Sequence, residues 1–293
     1  MKFLNIKISV NTLVNIIKRL RLNGTKVFFV MGLVVSFALP AYTQENLWKE
    51  LNDKATTLLE QRRYADAIKV GEEALKVAEE TFDSDHPNIA TSMNLLGMLY
   101  RTYGRFTEAE PLFMQALGIY KETLGSDHHK VAAVLQNLAE MFLAQDKYAE
   151  AEPIYEQSLN IYESVFGPDH PGVVTVLNGL GGLYQDQGKY AEAVPLYERA
   201  LRIEEKILDS DHPNIASALN NLATLYYYQG ENTMAERLYK RALEIYEKAY
   251  GKDHPLIATV LVNMADFYED TGRKDEAEKL KERVRRIYSK YQR

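Results

Sequence analysis

The chain of 293 residues contains no cysteine. Disulfide bonds, thiolate metal sites, cysteine nucleophiles and lipidation at a cysteine are therefore excluded. The hydrophobic fraction of 46% is ample for a packed interior and argues against a disordered chain. Packing, hydrogen bonds and charge pairs must therefore provide the stability of this protein.

Acidic residues are absent from the first 43 positions, where every charge is positive. The charged residues there are Lys2, Lys7, Lys18, Arg19, Arg21 and Lys26. The rest of the chain holds 29 basic and 41 acidic residues, a formal charge of −12. Such an acidic body lacks the basic face that displaces counterions from nucleic acid, so we expect no nucleic-acid partner.

The apolar run at 27–39 has only 13 residues, whereas a transmembrane helix needs about 20. It follows the basic stretch and precedes Pro40 and the small segment 41–43, which is the order of a secretory signal peptide. We therefore predict export to the periplasm or the medium, with residues 1–43 removed after Thr43. An uncleaved anchor, which would make the membrane a partner, is the alternative.

Repetition dominates the rest of the chain, with a period of 42 residues. Each period has an aspartate followed by a histidine, at Asp85, Asp127, Asp169, Asp211 and Asp253. Proline follows the histidine in all copies but the second, where His129 replaces it. A fixed period indicates a stack of supersecondary units, each too small to bury a core alone, and such stacks present long binding surfaces.

Each period contains two helical patterns, which we name helix A and helix B. In the fourth copy, helix A has its apolar residues on one face, at Leu219, Leu222, Ala223 and Tyr226. In the third copy, helix B has an apolar stripe at Ala193, Leu196, Tyr197, Ala200 and Leu201. A glycine follows helix A, where a left-handed residue commonly ends a helix, at Gly104, Gly188, Gly230 and Gly272.

This pattern resembles the tetratricopeptide repeat. The small residue of helix A lies at Gly97, Ala139, Gly181, Ala223 and Ala265, and the aromatic follows at Tyr100, Phe142, Tyr184, Tyr226 and Tyr268. The period and the Asp-His-Pro junction are similar to those of kinesin light chain. The resemblance implies an all-α right-handed superhelical solenoid over residues 44–293. About six helix pairs are expected, near 45–82, 87–124, 129–166, 171–208, 213–250 and 255–291.

The Asp-His-Pro junctions suggest two interpretations. An aspartate beside a histidine can bind metal or transfer protons. Equivalent residues of stacked repeats lie too far apart to share one ion, however, so we predict capping and no metal site. Proline suits the first turn of helix A, the aspartate should accept its free N–H groups, and the preceding glycine or aspartate should end helix B in a left-handed conformation.

The remaining motifs give no catalytic or cofactor site. The glycine-rich segment 178–182 lacks the lysine and the strand–turn–helix context of a phosphate-binding loop. We interpret its extra glycines, Gly179 and Gly182, as neutral variation. No nucleophile–base arrangement or paired carboxylates stand out. We therefore expect neither an enzyme nor a cofactor.

The resemblance implies a concave groove lined by helix A. Its first row is an amide ladder at Asn94, Gln136, Asn178 and Asn220, ending in Val262. Further residues expected in the groove are Arg101, Glu140, Gln185, Tyr227 and Asp266. Side-chain amides both donate and accept hydrogen bonds, so such a row can pair with the backbone of an extended peptide.

Helix A positions of the expected groove contain five acidic residues, namely Glu140, Asp186, Asp266, Glu269 and Asp270. They predict a partner segment that is neutral or basic. The predicted function is non-catalytic binding of a protein or peptide. Two alternatives stay open, namely a subunit that recruits substrate to a separate enzyme, and an intracellular cargo adaptor resembling kinesin light chain.

Overall fold

The computed structural model describes the backbone of residues 24–291 and the side chains of residues 42–290. Twelve α-helices and no strand occur in that range. The helices are α1 Gly24–Glu60, α2 Tyr64–Thr81, α3 Pro87–Thr102, α4 Phe106–Leu124, α5 His129–Leu143, α6 Tyr148–Phe166, α7 Pro171–Asp186, α8 Tyr190–Ile207, α9 Pro213–Tyr228, α10 Asn232–Tyr250, α11 Pro255–Asp270 and α12 Lys274–Tyr291. Odd-numbered helices are A helices and even-numbered ones are B helices, so the predicted all-α array of six pairs is confirmed.

The chain divides into two compact units between Thr123 and Leu124. The first unit contains α1 to α3 and nearly all of α4, and the second contains α5 to α12. Helix α1 runs without a break through the apolar stretch 27–39 and past Thr43. The part of the expected signal segment before Gly24 lies outside the described residues. Among the helices that the structure describes, none combines the length and apolar character that a membrane crossing requires.

In the central helix pairs a small residue of helix A meets an aromatic ring of helix B. A Cβ added at Gly97 would lie 2.8 Å from the Phe113 ring, and one added at Gly181 would lie 2.6 Å from the Tyr197 ring. Both rings are buried. This confirms the expectation that small residues allow close approach within a pair.

Successive pairs are joined through the hydroxyl of the helix A tyrosine. Tyr226 donates to Glu198 of the preceding B helix at 2.6 Å, and burial together with this bond raises the pKa of Tyr226 to about 12. Equivalent bonds join Tyr100 to Glu72, Tyr184 to Glu152 and Tyr268 to Glu236. A cation often covers the same ring, as Arg273 does at 4.1 Å from the Tyr268 centroid.

The histidine, and not the aspartate, caps helix A. His212 Nδ1 accepts from the Asn214 N–H at 3.2 Å, and its backbone is extended, as a cap residue requires. The same bond occurs at His86, His128, His170 and His254. The predicted aspartate cap is therefore wrong. Three of the aspartates instead pair with a lysine near the end of helix B, as Asp169–Lys206, Asp211–Lys248 and Asp253–Lys290.

The predicted left-handed end of helix B is confirmed only where the residue is glycine. Gly125, Gly167 and Gly251 have φ of 93°, 86° and 80°. Asp209 is not left-handed, because its helix ends two residues earlier at Ile207 with an extended Leu208. Asp83 is also not left-handed, because its helix ends at Thr81 and Phe82 is extended. After helix A, Arg62 and Asp146 adopt φ of 59° and 57° where the other four copies have glycine.

Gly179 is required by packing and is not neutral variation. A Cβ there would lie 2.6 Å from the ring of Tyr155, which is fully buried. At Gly182 the nearest atom to an added Cβ is the Tyr197 hydroxyl at 3.6 Å, which is ordinary contact. An added side chain therefore meets a clash at Gly179 but not at Gly182. The interpretation as neutral variation is wrong for Gly179.

The capping contact can be tested in the fourth repeat. His212→Ala should lower the free energy of unfolding by about 1 kcal/mol, the usual cost of losing a cap. The amide of Asn214 should exchange its hydrogen faster, because its acceptor is gone. Asp211→Ala removes only an exposed ion pair and should cost at most about 0.5 kcal/mol. Urea unfolding and NMR hydrogen exchange measure both effects, and a larger cost for the aspartate would contradict this assignment.

The two glycines of α7 should respond in opposite directions to alanine. Gly179→Ala forces Tyr155 to move, at about 1–3 kcal/mol, which exceeds the gain of about 1 kcal/mol in helix propensity. Gly182→Ala has the same gain in helix propensity without a clash, so it should stabilise the protein. Urea unfolding followed by circular dichroism compares them, and a stabilised Gly179→Ala variant would show that the close contact is absent in solution.

Candidate functional site

The predicted amide ladder lies on consecutive A helices. Gln136, Asn178 and Asn220 belong to α5, α7 and α9 of the second unit, and Asn94 belongs to α3 of the first. Asn94, Gln136 and Asn178 are half-buried. Asn220 is buried, with 7% of its surface exposed. The ladder positions are therefore partly enclosed by neighbouring side chains.

Within the second unit, two helices share an amide–amide hydrogen bond. Asn263 Nδ2 of α11 donates to Asn220 Oδ1 of α9 at 3.1 Å. The ladder thus continues into α11 through Asn263, while Val262 beside it is exposed at 40%. Sequence reasoning missed this residue, although a second amide column at Asn137, Asn221 and Asn263 was visible in the repeats.

The other two amides of the second unit differ in their hydrogen bonding. Gln136 Nε2 donates to Glu140 Oε1 at 2.9 Å, which joins two predicted groove residues one turn apart. Asn178 Oδ1 is screened from solvent and has no hydrogen-bond partner among the described residues. A buried acceptor left unpaired costs roughly 1–3 kcal/mol, so a donor that reached this oxygen would recover that energy.

Tyrosines of the B helices extend to the helix A positions one turn after the amide ladder, such as Gly182 and Thr224. The hydroxyls of Tyr239 and Thr224 lie 2.9 Å apart, and the Tyr197 hydroxyl lies beside Gly182. Burial raises the pKa of both tyrosines to about 12, so their hydroxyls stay protonated at neutral pH. Both rings are buried in the core, and periodicity alone does not show how far their hydroxyls reach.

The predicted groove residues two turns after the amide ladder differ in their contacts and exposure. In α9 the Tyr227 hydroxyl donates to Asp270 of α11, and in α11 Glu269 pairs with Lys281 of α12. Gln185 of α7 is half-buried, as is Arg101 of α3 in the first unit. Asp266 of α11 is exposed one turn before Asp270.

Charge is segregated between the two helix types in the second unit. Helices α7, α9 and α11 contain no lysine or arginine, and α5 contains only Lys130 at its start. The acidic residues of these four helices are Glu140, Asp186, Asp266, Glu269 and Asp270. Burial and the neighbouring Asp146 raise the pKa of Asp186. We call the exposed surface of α5, α7, α9 and α11 the A face, and it is acidic.

Histidine and acidic side chains do not converge on a common point. Within the described residues, no group of three or more histidine, aspartate or glutamate side chains could hold a metal ion. The rings of His128 and His129 touch, with centroids 4.3 Å apart, but His128 uses its Nδ1 for the helix cap.

Comparison with known proteins agrees with this architecture. The model of the tetratricopeptide repeat matches residues 48–122, 104–164, 130–206, 173–248 and 214–290, which together cover most of the chain. No curated protein sequence matches the chain.

Several solved structures are similar. The kinesin light chain-type TPR-like repeats of Podosopora anserina are 31% identical, with a TM-score of 0.62, over 71% of this chain and 99% of that one. BtubC (BKLC) from P. vanneervenii is 23% identical, with a TM-score of 0.64, over 84% of this chain and 92% of that one. A Rap protein complexed with competence and sporulation factor is 14% identical, with a TM-score of 0.60, over 83% of this chain and 75% of that one.

The repeat match, the helix pairs and these neighbours agree on family and on general role. The chain belongs to the tetratricopeptide repeat family, with repeats like those of kinesin light chain, and is a protein–protein interaction scaffold.

Proposed function

We propose that this scaffold is non-catalytic and that its A face binds an extended protein or peptide segment that is neutral or basic. One observation carries the proposal. In the second unit the A helices hold five acidic residues and a single lysine, while lysine and arginine otherwise lie on the B helices and in the loops. Packing alone does not require this separation, whereas an electrostatically complementary partner does.

The amides of the A face suit the backbone of such a segment. Asn178 Oδ1 lacks a donor within the described part of the chain, and one turn later Gly182 has no side chain to hold a ligand away. Gln136 and Glu140 offer both donor and acceptor atoms on α5. An extended backbone presents N–H and C=O groups at regular intervals, so these positions support binding with limited dependence on the ligand's side chains.

One structural neighbour supports a binding role for this fold. The Rap protein of similar architecture was solved as a complex with competence and sporulation factor. At 14% identity this likeness concerns the fold alone. The charge preference proposed for our chain rests on its own residues.

Charge reversal on the A face tests the proposal. Decapeptides selected by the full chain from a displayed random library should be rich in lysine and arginine. The double variant Glu140→Lys, Asp266→Lys should bind them on the order of ten-fold more weakly, because two attractive charges become repulsive. Fluorescence anisotropy with the labelled peptides measures the affinities.

A matched control separates the local effect from the change in net charge. Glu244→Lys with Glu282→Lys makes the same change at two exposed positions on the B helices and should leave the affinity nearly unaltered. The proposal fails if the full chain selects no peptide, or if both double variants weaken binding equally.

We further propose that the protein is exported and cleaved after Thr43. The basic stretch followed by the apolar run 27–39 supports this proposal. Intact mass spectrometry of the native chain, after fractionation of the cells, should find a form that begins at Gln44 outside the cytoplasm. A full-length chain in the membrane pellet would instead support the anchor, and a full-length cytosolic chain would refute both.

A further inference from the structure

A row of aromatic rings, centred on helix A of the fourth copy, crosses three helices of the second unit. Tyr190 of α8 stacks on Tyr228 of α9 with centroids 5.0 Å apart, and Tyr228 stacks on Tyr227 at 5.1 Å. Tyr227 then meets Phe267 of α11 edge to face at 5.7 Å. Phe267 is buried, whereas Tyr228 is 52% exposed. We call Tyr190, Tyr228, Tyr227 and Phe267 the aromatic row.

The repeat architecture does not require the two central rings. At the position of Tyr227 the other copies have Arg101, Leu143, Gln185 and Glu269, and at that of Tyr228 they have Thr102, Ala144, Asp186 and Asp270. Residues that pack the array recur in most copies, as Tyr100, Tyr184, Tyr226 and Tyr268 do. The pair Tyr227 and Tyr228 occurs in one copy alone and is therefore not part of the repeated packing.

Carboxylates lie against one end of the row. Asp270 accepts the hydrogen bond of the Tyr227 hydroxyl, and this bond raises the pKa of Tyr227 to about 12. Asp266 is exposed one turn earlier on the same helix, α11. Neither aspartate forms an ion pair with any lysine or arginine of the described residues. Lys281 forms an ion pair with Glu269, and the charges of Glu269 and Asp266 both raise the pKa of Lys281.

We infer that the aromatic row and the carboxylates of Asp266 and Asp270 form a docking site for an arginine side chain of the bound segment. The inference rests on the proposed function and names the residue that the A face selects. The apolar stem of arginine would lie along the exposed tyrosine surface, and its guanidinium group would reach the carboxylates.

Arginine fits this site better than other side chains. Its planar guanidinium group packs against aromatic rings and can bind a carboxylate through two parallel N–H bonds. Lysine offers a compact, strongly hydrated charge and stacks less well. An acidic or phosphorylated segment would face Asp266 and Asp270 directly, so charge excludes it.

A thermodynamic cycle tests the site. The probe is the tightest arginine-containing decapeptide selected by the full chain, made also with citrulline or lysine in place of its arginine. Citrulline keeps the shape and removes the charge. We expect affinity for the wild-type chain to fall about ten-fold with citrulline and about three-fold with lysine.

The protein variants locate the contact. Tyr228→Leu and Asp270→Asn should each lower the affinity for the arginine peptide about three- to ten-fold. The affinity for the citrulline peptide should stay nearly unchanged. Tyr228→Phe keeps the ring and should bind like wild type. Tyr288→Leu and Asp275→Asn are the matched controls, since both residues are exposed on α12 and outside the row, and neither should distinguish the two peptides. Circular dichroism confirms that each variant is folded.

The outcomes separate this inference from the proposed function. If selected peptides respond to Glu140→Lys with Asp266→Lys but show no coupling between arginine and Tyr228 or Asp270, the arginine site is refuted and the acidic face stands. The same holds if the selected peptides contain lysine but no arginine. If the full chain selects no peptide, the proposed function and the arginine site are both refuted.

Discussion

The structure depends on the close approach of helix A and helix B within each pair. Glycine or alanine on helix A leaves room for one aromatic ring of helix B, as Gly181 does for Tyr197. A larger residue at that point would separate the helices and expose the ring. Because each pair buries little surface alone, stacking of successive pairs must supply the rest of the core. The bonds from helix A tyrosines to the preceding glutamates set the register of that stacking.

The core and the A face follow different sequence patterns. Core residues recur with the period of the repeat, while the exposed residues of α5, α7, α9 and α11 vary from copy to copy. The basic residues of the second unit lie mostly on B helices, where they pair with acidic residues, as Arg199 does with Glu163 and Arg241 with Glu205. The A helices keep acidic residues with few such partners. A surface of this kind attracts basic segments and repels acidic ones.

Departures from the repeat show where packing constraints are relaxed or altered. Glu204 stands where other copies have Tyr120, Tyr162 and Tyr246. It is buried, and one of its carboxylate oxygens has no hydrogen-bond partner among the residues that the structure describes. Burial raises its pKa, because the charged form is poorly solvated there. Gly179 is a second departure, since it accepts the ring of Tyr155 where neighbouring copies have leucine or asparagine.

The sequence alone determined the helix pairs, their number and the small-to-aromatic contact, because a period of 42 residues repeats the same local signals many times. It also determined the acidic character of the A face. Only the tertiary structure decided that histidine and not aspartate caps helix A, since both residues precede the helix and geometry selects between them. It alone showed the Asn220–Asn263 bond and the aromatic row. Their contacts between helices join residues 38 to 43 positions apart, and no local pattern specifies the directions of those side chains.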